Sequence, residues 1–158
     1  MQVGLFNLMG YRQPGTPTAA IYDIAVAQVK AAEQADFSIA WFAEHHFSNY
    51  CVSPSPLMMV AHMAAKTQRI RLGTGVVTLT MENAIRVAED TAVLDLLSGG
   101  RLEIGLGTGG TAESFEAFGV ASQDRGAVYG RNLEVLRAAW RGDALQGGVR
   151  VYPTAAHL

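Results

Sequence analysis

A parallel α/β architecture of successive strand–helix units, half of a closed eight-unit barrel, is what the sequence predicts, and three observations predict it. Apolar segments alternate in a βαβαβαβα order, which makes the strands parallel and the helices crossovers. Helix-to-strand connections are tight, around Asp36, Gln68-Arg69 and Gly99-Gly100, whereas strand-to-helix connections at 7–17, 44–54, 78–82 and 107–124 are long. The chain has 158 residues, room for four such units and not for eight. Four units also satisfy an open, doubly wound sheet. Short strands carrying inward Gly and Thr instead of continuous Val/Ile runs speak for the crowded end of a barrel.

Val3 to Phe6 reads as the first strand, and residues 7–17, rich in Gly, Pro and polar groups, as the loop after it. A helix follows, with Thr16 or Thr18 as N-cap and Pro17 in the first turn. Its Ile21, Ile24, Ala25, Val29 and Ala32 fall on one face. Ser38 to Ala43 is the second strand and runs out at Glu44, His45 and His46. Ser55 caps the second helix with Pro56 at its first position. Leu57, Val60, Ala61, Ala64 and Ala65 give that helix an apolar stripe. Ile70 to Val77 is the third strand. Asn83 caps the third helix, which buries Val87, Ala88, Leu94 and Leu97 and stops at Gly99-Gly100. Leu102 to Leu106 is the fourth strand, a short helix near Glu113–Phe118 follows, and the last main helix runs from Arg125 to Arg141. Tyr129, Leu133, Leu136 and Trp140 point inward from it, and Gly142 ends it.

Composition narrows the function classes. Charged residues make up 16% of the chain, below the roughly 25% usual for soluble domains, which points to a partner surface. The formal net charge is -2 with no basic stripe, so nucleic acid is not an expected partner. The opening MQVGLFNLMG has neither a basic n-region nor a long apolar run, the marks of a signal peptide or membrane span. Cys51 is the single cysteine, so no internal disulfide forms and a cytoplasmic location is expected. The closing VRVYPTAAHL reads as a strand-like stretch broken off in mid-connection. No short repeat is present.

In parallel α/β proteins ligands bind on the loops at the carboxyl ends of the strands, so the long connections mark the functional face. Strand alternation sends Glu44 and His46 to one side and His45 to the other. A rim histidine exchanges protons near neutral pH. The bland reading is that the three tie loop to strand. A metal site is a further reading, with little support: adjacent histidines diverge, and His62 shows no HExxH-type spacing. Gly105-Leu-Gly-Thr-Gly-Gly110 satisfies GxGxxG, which brings backbone N–H groups close to a phosphate or flat cofactor, or merely relieves crowding at a barrel rim. As a dinucleotide fingerprint it is weak, because it follows the fourth strand and not the first. Gly73-Thr-Gly75 leaves room for a planar ring or marks a bulge. Arg86, Glu89 and Asp90 read as a solvated set. Asp95 is either buried with a partner or a solvent-facing break, and Cys51 lacks an adjacent base and reads as inert.

Ala43-Glu-His-His-Phe47 with Ser53-Pro-Ser-Pro-Leu57 resembles the second-strand region of the bacterial luciferase-like flavin-dependent monooxygenases. So do Ile70-Arg-Leu-Gly-Thr-Gly-Val76, Arg86-Val-Ala-Glu-Asp90 and the run from Leu94 to Gly107. FEAFGV at 115–120 and the 125–140 helix continue the match in order and spacing. The resemblance implies a TIM-type (βα)8 barrel, of which residues 1–158 form a single (βα)4 domain with the second half absent. It implies reduced FMN, or F420 in a sister branch, bound at the strand ends, with O2 oxygenating a small organic substrate such as an aldehyde or alkane. On the matching positions His45 is the active-site histidine near the flavin, with Glu44 and His46 beside it. Gly75-Val76 matches the bulge where a non-proline cis peptide supports the isoalloxazine ring. Gly107 matches the strand end beside the flavin, followed by Thr108 and Gly109. Family members often carry arginine, a phosphate ligand, where this chain has Thr108, and they are considerably longer.

Two readings follow: an oxygenase completed by self-association or by a missing half, or a non-catalytic flavin-binding or structural half-barrel. A Rossmann-type binding module is a remote third. In either of the first two, the unpaired edges of strands one and four favour a homo-oligomer, such as a homodimer, that covers them.

Overall fold

A computed structural model describes all 158 residues. The elements are β1 (Gly4–Asn7), α1 (Thr18–Gln34), β2 (Ile39–Phe42), α2 (Pro56–Ala64), β3 (Arg71–Thr78), α3 (Ala84–Ser98), β4 (Leu102–Gly107), α4 (Ala112–Ala117) and α5 (Arg125–Trp140). Single 3-10 turns lie at Ser122–Asp124 and Gln146–Gly148. The four strands are parallel and lie in the order β1-β2-β3-β4. A doubly wound sheet reverses its strand order at a switch point; this sheet advances without reversal, as a barrel does. No helix is long and apolar enough to cross a membrane.

The chain divides into two compact units, Met1–Val77 with Arg101–Gly105, and Thr78–Gly100 with Leu106–Leu158. In the first, Ala40, Phe42 and Leu72 are fully buried on one side of the sheet, and Val29, Val60 and Met63 are the fully buried residues of α1 and α2. The buried row of α1 is Ile21, Ala25, Val29 and Ala32. Ile24, expected in that row, is 52% exposed; it sits at the edge of the stripe and lines a cavity beside β1. Pro17 and not a threonine holds the N-cap position of α1, and no side chain caps it. Helix α2 buries Pro56, Met59, Val60, Met63 and Ala64, a stripe rotated from the expected one. Methionine's flexible thioether fills the space there, while Leu57 and Ala61 are half-buried and Ala65 is exposed. Ser55 occupies the N-cap of α2 without a side-chain capping bond.

Two charged side chains fasten this unit at the amino ends of the strands. Glu33, near the end of α1, takes the backbone N–H groups of Gln68, Arg69 and Ile70 onto Oε1 at 2.9, 2.7 and 3.0 Å. Arg101, just before β4, donates to the carbonyls of Ala64, Thr67 and Ile70 and to Thr67 Oγ1 at 2.9–3.3 Å. Burial pulls the Arg101 pKa down, and the nearby Glu33 charge opposes that. Desolvation pushes the Glu33 carboxyl up, but the three backbone donors outweigh it and hold its pKa below the ordinary 4.5.

In the second unit α3 packs on α5. Asn83 caps α3 through bonds from Ile85 N and Arg86 N, and Gly99 ends it in the left-handed conformation, φ 66°. Val87, Ala88, Thr91, Ala92, Leu94, Asp95 and Ser98 are among its buried residues. Leu97 turns outward at 67% exposure, against expectation, because Asp95 and Ser98 occupy the buried stripe beside it. On α5, Leu136 and Ala139 are buried, and Tyr129, Leu133 and Trp140 are half-buried. The Trp140 indole donates to Thr91 Oγ1 at 3.0 Å. Residues 149–158 form no strand. They are held by the buried Asp95, whose carboxylate accepts from Ala156 N (2.7 Å), His157 N (2.8 Å) and His157 Nδ1 (3.1 Å). Asp95 is therefore buried with partners, the first of its two expected states.

Because the Glu33 pKa is lowered by folding, its stabilising effect is present above the ordinary 4.5 and is lost as pH falls through the lowered value. Glu33→Gln should cost about 1 kcal/mol at neutral pH, a figure reduced for solvent screening, and the cost should vanish in acid. Urea midpoints of both proteins at pH 7 and pH 3 measure this; equal midpoints at pH 7 would contradict it.

Candidate functional site

Within the first unit, the site is built where β2 runs out. Glu44 is buried, and its Oε1 lies 3.1 Å from His46 Nε2. An ionised carboxylate only accepts, so the imidazole N–H is the donor. His45 points the other way and meets the Tyr50 ring edge to face, centroids 5.0 Å apart at 85°. The divergence of Glu44 and His46 from His45 follows from strand alternation continued into the loop. That loop is laced to the one after β1: Ala43 N donates to Asn7 O (3.1 Å), Val52 N to Met9 O (3.0 Å) and Tyr11 N to Asn49 O (2.9 Å). His45 N donates to Ser53 O at 3.2 Å. Asn7 Oδ1 and Ser53 Oγ are buried here without hydrogen-bond partners, so the polar groups at this end of the unit are incompletely satisfied by the chain itself. A cavity of about 480 Å³ opens beside the end of β1, lined by Phe6, Met9, Arg12, Ile21 and Ile24 among others.

The glycines of β3 are explained by a ring the chain already owns. Trp41 is the register partner of Gly73. A Cβ on Gly73 would lie 2.3 Å from Trp41 Cε3, so the indole occupies the space a side chain would fill. A Cβ on Gly75 would come 3.2 Å from the Phe6 ring. Phe6 keeps 57% of its surface exposed, leaving an uncovered aromatic face next to Gly75. The Gly75–Val76 peptide is cis. At Gly105 a Cβ would fall 2.2 Å from Thr74 O, and Thr74 Oγ1 both accepts from Gly105 N and donates to Gly105 O at 3.0 and 2.9 Å. Gly73 and Gly105 thus serve internal packing.

The second unit holds the remaining glycine-rich residues. Gly107 O accepts from Leu79 N at 3.0 Å, and Thr108 O from Thr80 Oγ1 at 3.0 Å. Gly109 has φ +74°, and a Cβ there would lie 2.8 Å from Thr78 Cγ2. Nothing lies within 4 Å of a Cβ placed on Gly110. Residues 105–110 contain no cationic side chain.

The other singled-out residues fall into place. Cys51 is 2% exposed, and burial pushes its thiol pKa up, so little thiolate forms. Arg86 pairs with Glu89 and Asp90 on the exposed face of α3. His62 is exposed on α2, and no three His, Cys, Asp or Glu side chains gather as metal ligands. Sequence reasoning missed Tyr50 and the role of Trp41. The parity of β2 and β3 held the signal for Trp41, a large residue facing a glycine across parallel strands. Nothing in the sequence signalled the fold-back that brings Tyr50 to His45.

Parallel strands in sequential order, long loops at their carboxyl ends and a half-buried histidine on one of those loops define the rim of a (βα) barrel. Comparison with known proteins supplies the family. The model of the luciferase-like monooxygenases matches residues 1–157, and the chain belongs to that family. It is 40% identical over 136 residues to protein y4vJ of Sinorhizobium fredii, covering 86% of this chain and 39% of that one. It is 29% identical over 130 residues to the oxygenase component of a flavin-dependent trigonelline monooxygenase of Acinetobacter baylyi, covering 81% and 36%. The monooxygenase RslO1 of Streptomyces bottropensis superposes with a TM-score of 0.86 at 27% identity, covering 92% of this chain and 44% of that one. The chain therefore spans about two fifths of the length of the relatives it matches.

Gly73→Ala should destabilise the first unit by about 1–3 kcal/mol, since the indole must move. Trp41→Leu in the same background should recover part of the loss. A urea-denaturation double-mutant cycle measures the coupling, and additive effects of the two changes would refute the account.

Proposed function

We propose that this chain carries the proton-handling part of a flavin-dependent monooxygenase that oxygenates a small organic substrate such as an aldehyde or alkane. The observation that carries the reading is the half-exposed His45 at the carboxyl end of β2, in the same unit as the uncovered Phe6 face beside Gly75. The residues present fit the ring end of a flavin: the part-exposed apolar ring of Phe6 lies beside Gly75, which carries no side chain of its own. They offer no cation for its phosphate among residues 105–110. When bound, reduced FMN supplies two electrons to O2, so that one oxygen enters the substrate and the other leaves as water. F420 is the alternative cofactor.

In this reading His45 holds or passes a proton at its imidazole, the task for which a rim histidine is suited. Glu44 and His46 hold each other at 3.1 Å and keep the loop in place from the opposite side. Gly75 and Val76 would help hold the ring. In the second unit, Gly107, Thr108 and Gly109 would present backbone N–H groups to the cofactor. Thr108 in place of the family's frequent arginine favours a second reading, a flavin-binding module without turnover.

Self-association belongs to the same proposal. β1 and β4 are the outer strands of the sheet, Ile24 of α1 lies open, and unpaired strand edges invite pairing. A homodimer that covers these edges would complete the cofactor's surroundings.

Added FMN should lose fluorescence on titration with the protein, with F420 run in parallel. No response to either at any attainable concentration removes the reading. His45→Ala should still bind flavin and should lower turnover by about 10²–10⁴-fold. Binding with no wild-type turnover selects the second reading. Light scattering at micromolar concentration should give the mass of a dimer or larger assembly, and a stable monomer would overturn the oligomer.

A further inference from the structure

The loops after β1 and β2 are hydrogen-bonded to each other, and Tyr50, on the second of them, meets His45. Tyr50 is 59% exposed, so core packing does not order it. Its backbone is ordered instead by bonds on both sides: Asn49 O accepts from Tyr11 N, and Val52 N donates to Met9 O. The Tyr22 hydroxyl fastens Val52 O as well. Between these bonds the chain passes Gly10 so closely that a Cβ there would lie 2.9 Å from Tyr50 O. From this braced backbone the phenol ring reaches back and meets the His45 imidazole at a near right angle, a favoured aromatic arrangement.

We propose that Tyr50 is a positioning residue for His45. Its ring fixes the imidazole rotamer at the rim, and Gly10 lets the two loops close far enough for the rings to meet. This rests on the proton-handling role assigned to His45 above, yet its test can be read without any flavin.

The His45 ring resonances are identified by their loss in His45→Gln, and all spectra are taken on the flavin-free chain. Tyr50→Leu should remove the ring-current displacement of the His45 imidazole protons, and Tyr50→Phe should restore it. Gly10→Ala, which alters neither ring, should displace the same resonances; it also stands in if Tyr50→Leu loses the dispersed spectrum of a folded protein. In a flavin-dependent assay Tyr50→Leu should lower kcat more than it raises KM, with Tyr50→Phe recovering the loss. His45 resonances unmoved in a folded Tyr50→Leu, or in Gly10→Ala where Leu does not fold, overturn the inference. A wild type that binds no flavin sinks the oxygenase reading and leaves this result standing.

Discussion

The arrangement depends first on the carboxylate of Glu33 and the guanidinium of Arg101. Glu33 ties the end of α1 to the turn before β3 through three backbone donors on one oxygen. Arg101 ties the carbonyls at the end of α2 and in the same turn to the start of β4. A cation at the carboxyl end of a helix also meets the negative end of its dipole. The amino ends of the strands are thereby pinned by hydrogen bonds, at the end of the first unit where no chemistry is expected. Its carboxyl ends are free to carry loops whose sequence answers to function and not to packing.

This division explains what was legible in the sequence. Apolar periodicity located the main helices, because that signal is local, and end signals agreed where Pro56 starts α2, Asn83 caps α3 and Gly99 ends it, though not at α1, whose N-cap is Pro17. The order of strands and helices gave the parallel half-barrel, and sequential strand order bore it out. The faces were less legible. Ile24 and Leu97 fit a helical repeat yet lie open, because the repeat says which residues share a side and not where the side ends. Asp95 occupies a position that a hydrophobicity rule gives to an apolar residue, and its donors come from about sixty positions further along.

At the rim the same limit applies. Alternation separated Glu44 and His46 from His45, and the Glu44–His46 contact agrees. The partner of His45 depends on how the 44–54 loop folds back, which no periodicity encodes. The glycines of β3 and β4 drew attention as room for a cofactor, and two of them turn out to accommodate Trp41 and a Thr74 carbonyl. A glycine reports a close approach; it does not report what approaches. The proposal of a cofactor rests instead on the part-exposed Phe6 ring beside Gly75, not on the glycine count.

The carboxylate of Asp95 gives the last residues a standing that their irregular backbone conceals. Ala156 and His157 donate to it, and the His157 ring lies against Gly100. A carboxyl out of reach of water depends on such donors for its hydrogen bonds. Expression boundaries drawn upstream of Ala156 would therefore remove the donors that Ala156 and His157 give to a side chain buried inside the second unit. An irregular stretch of backbone thus acts as the counterweight that lets a carboxyl be buried on α3.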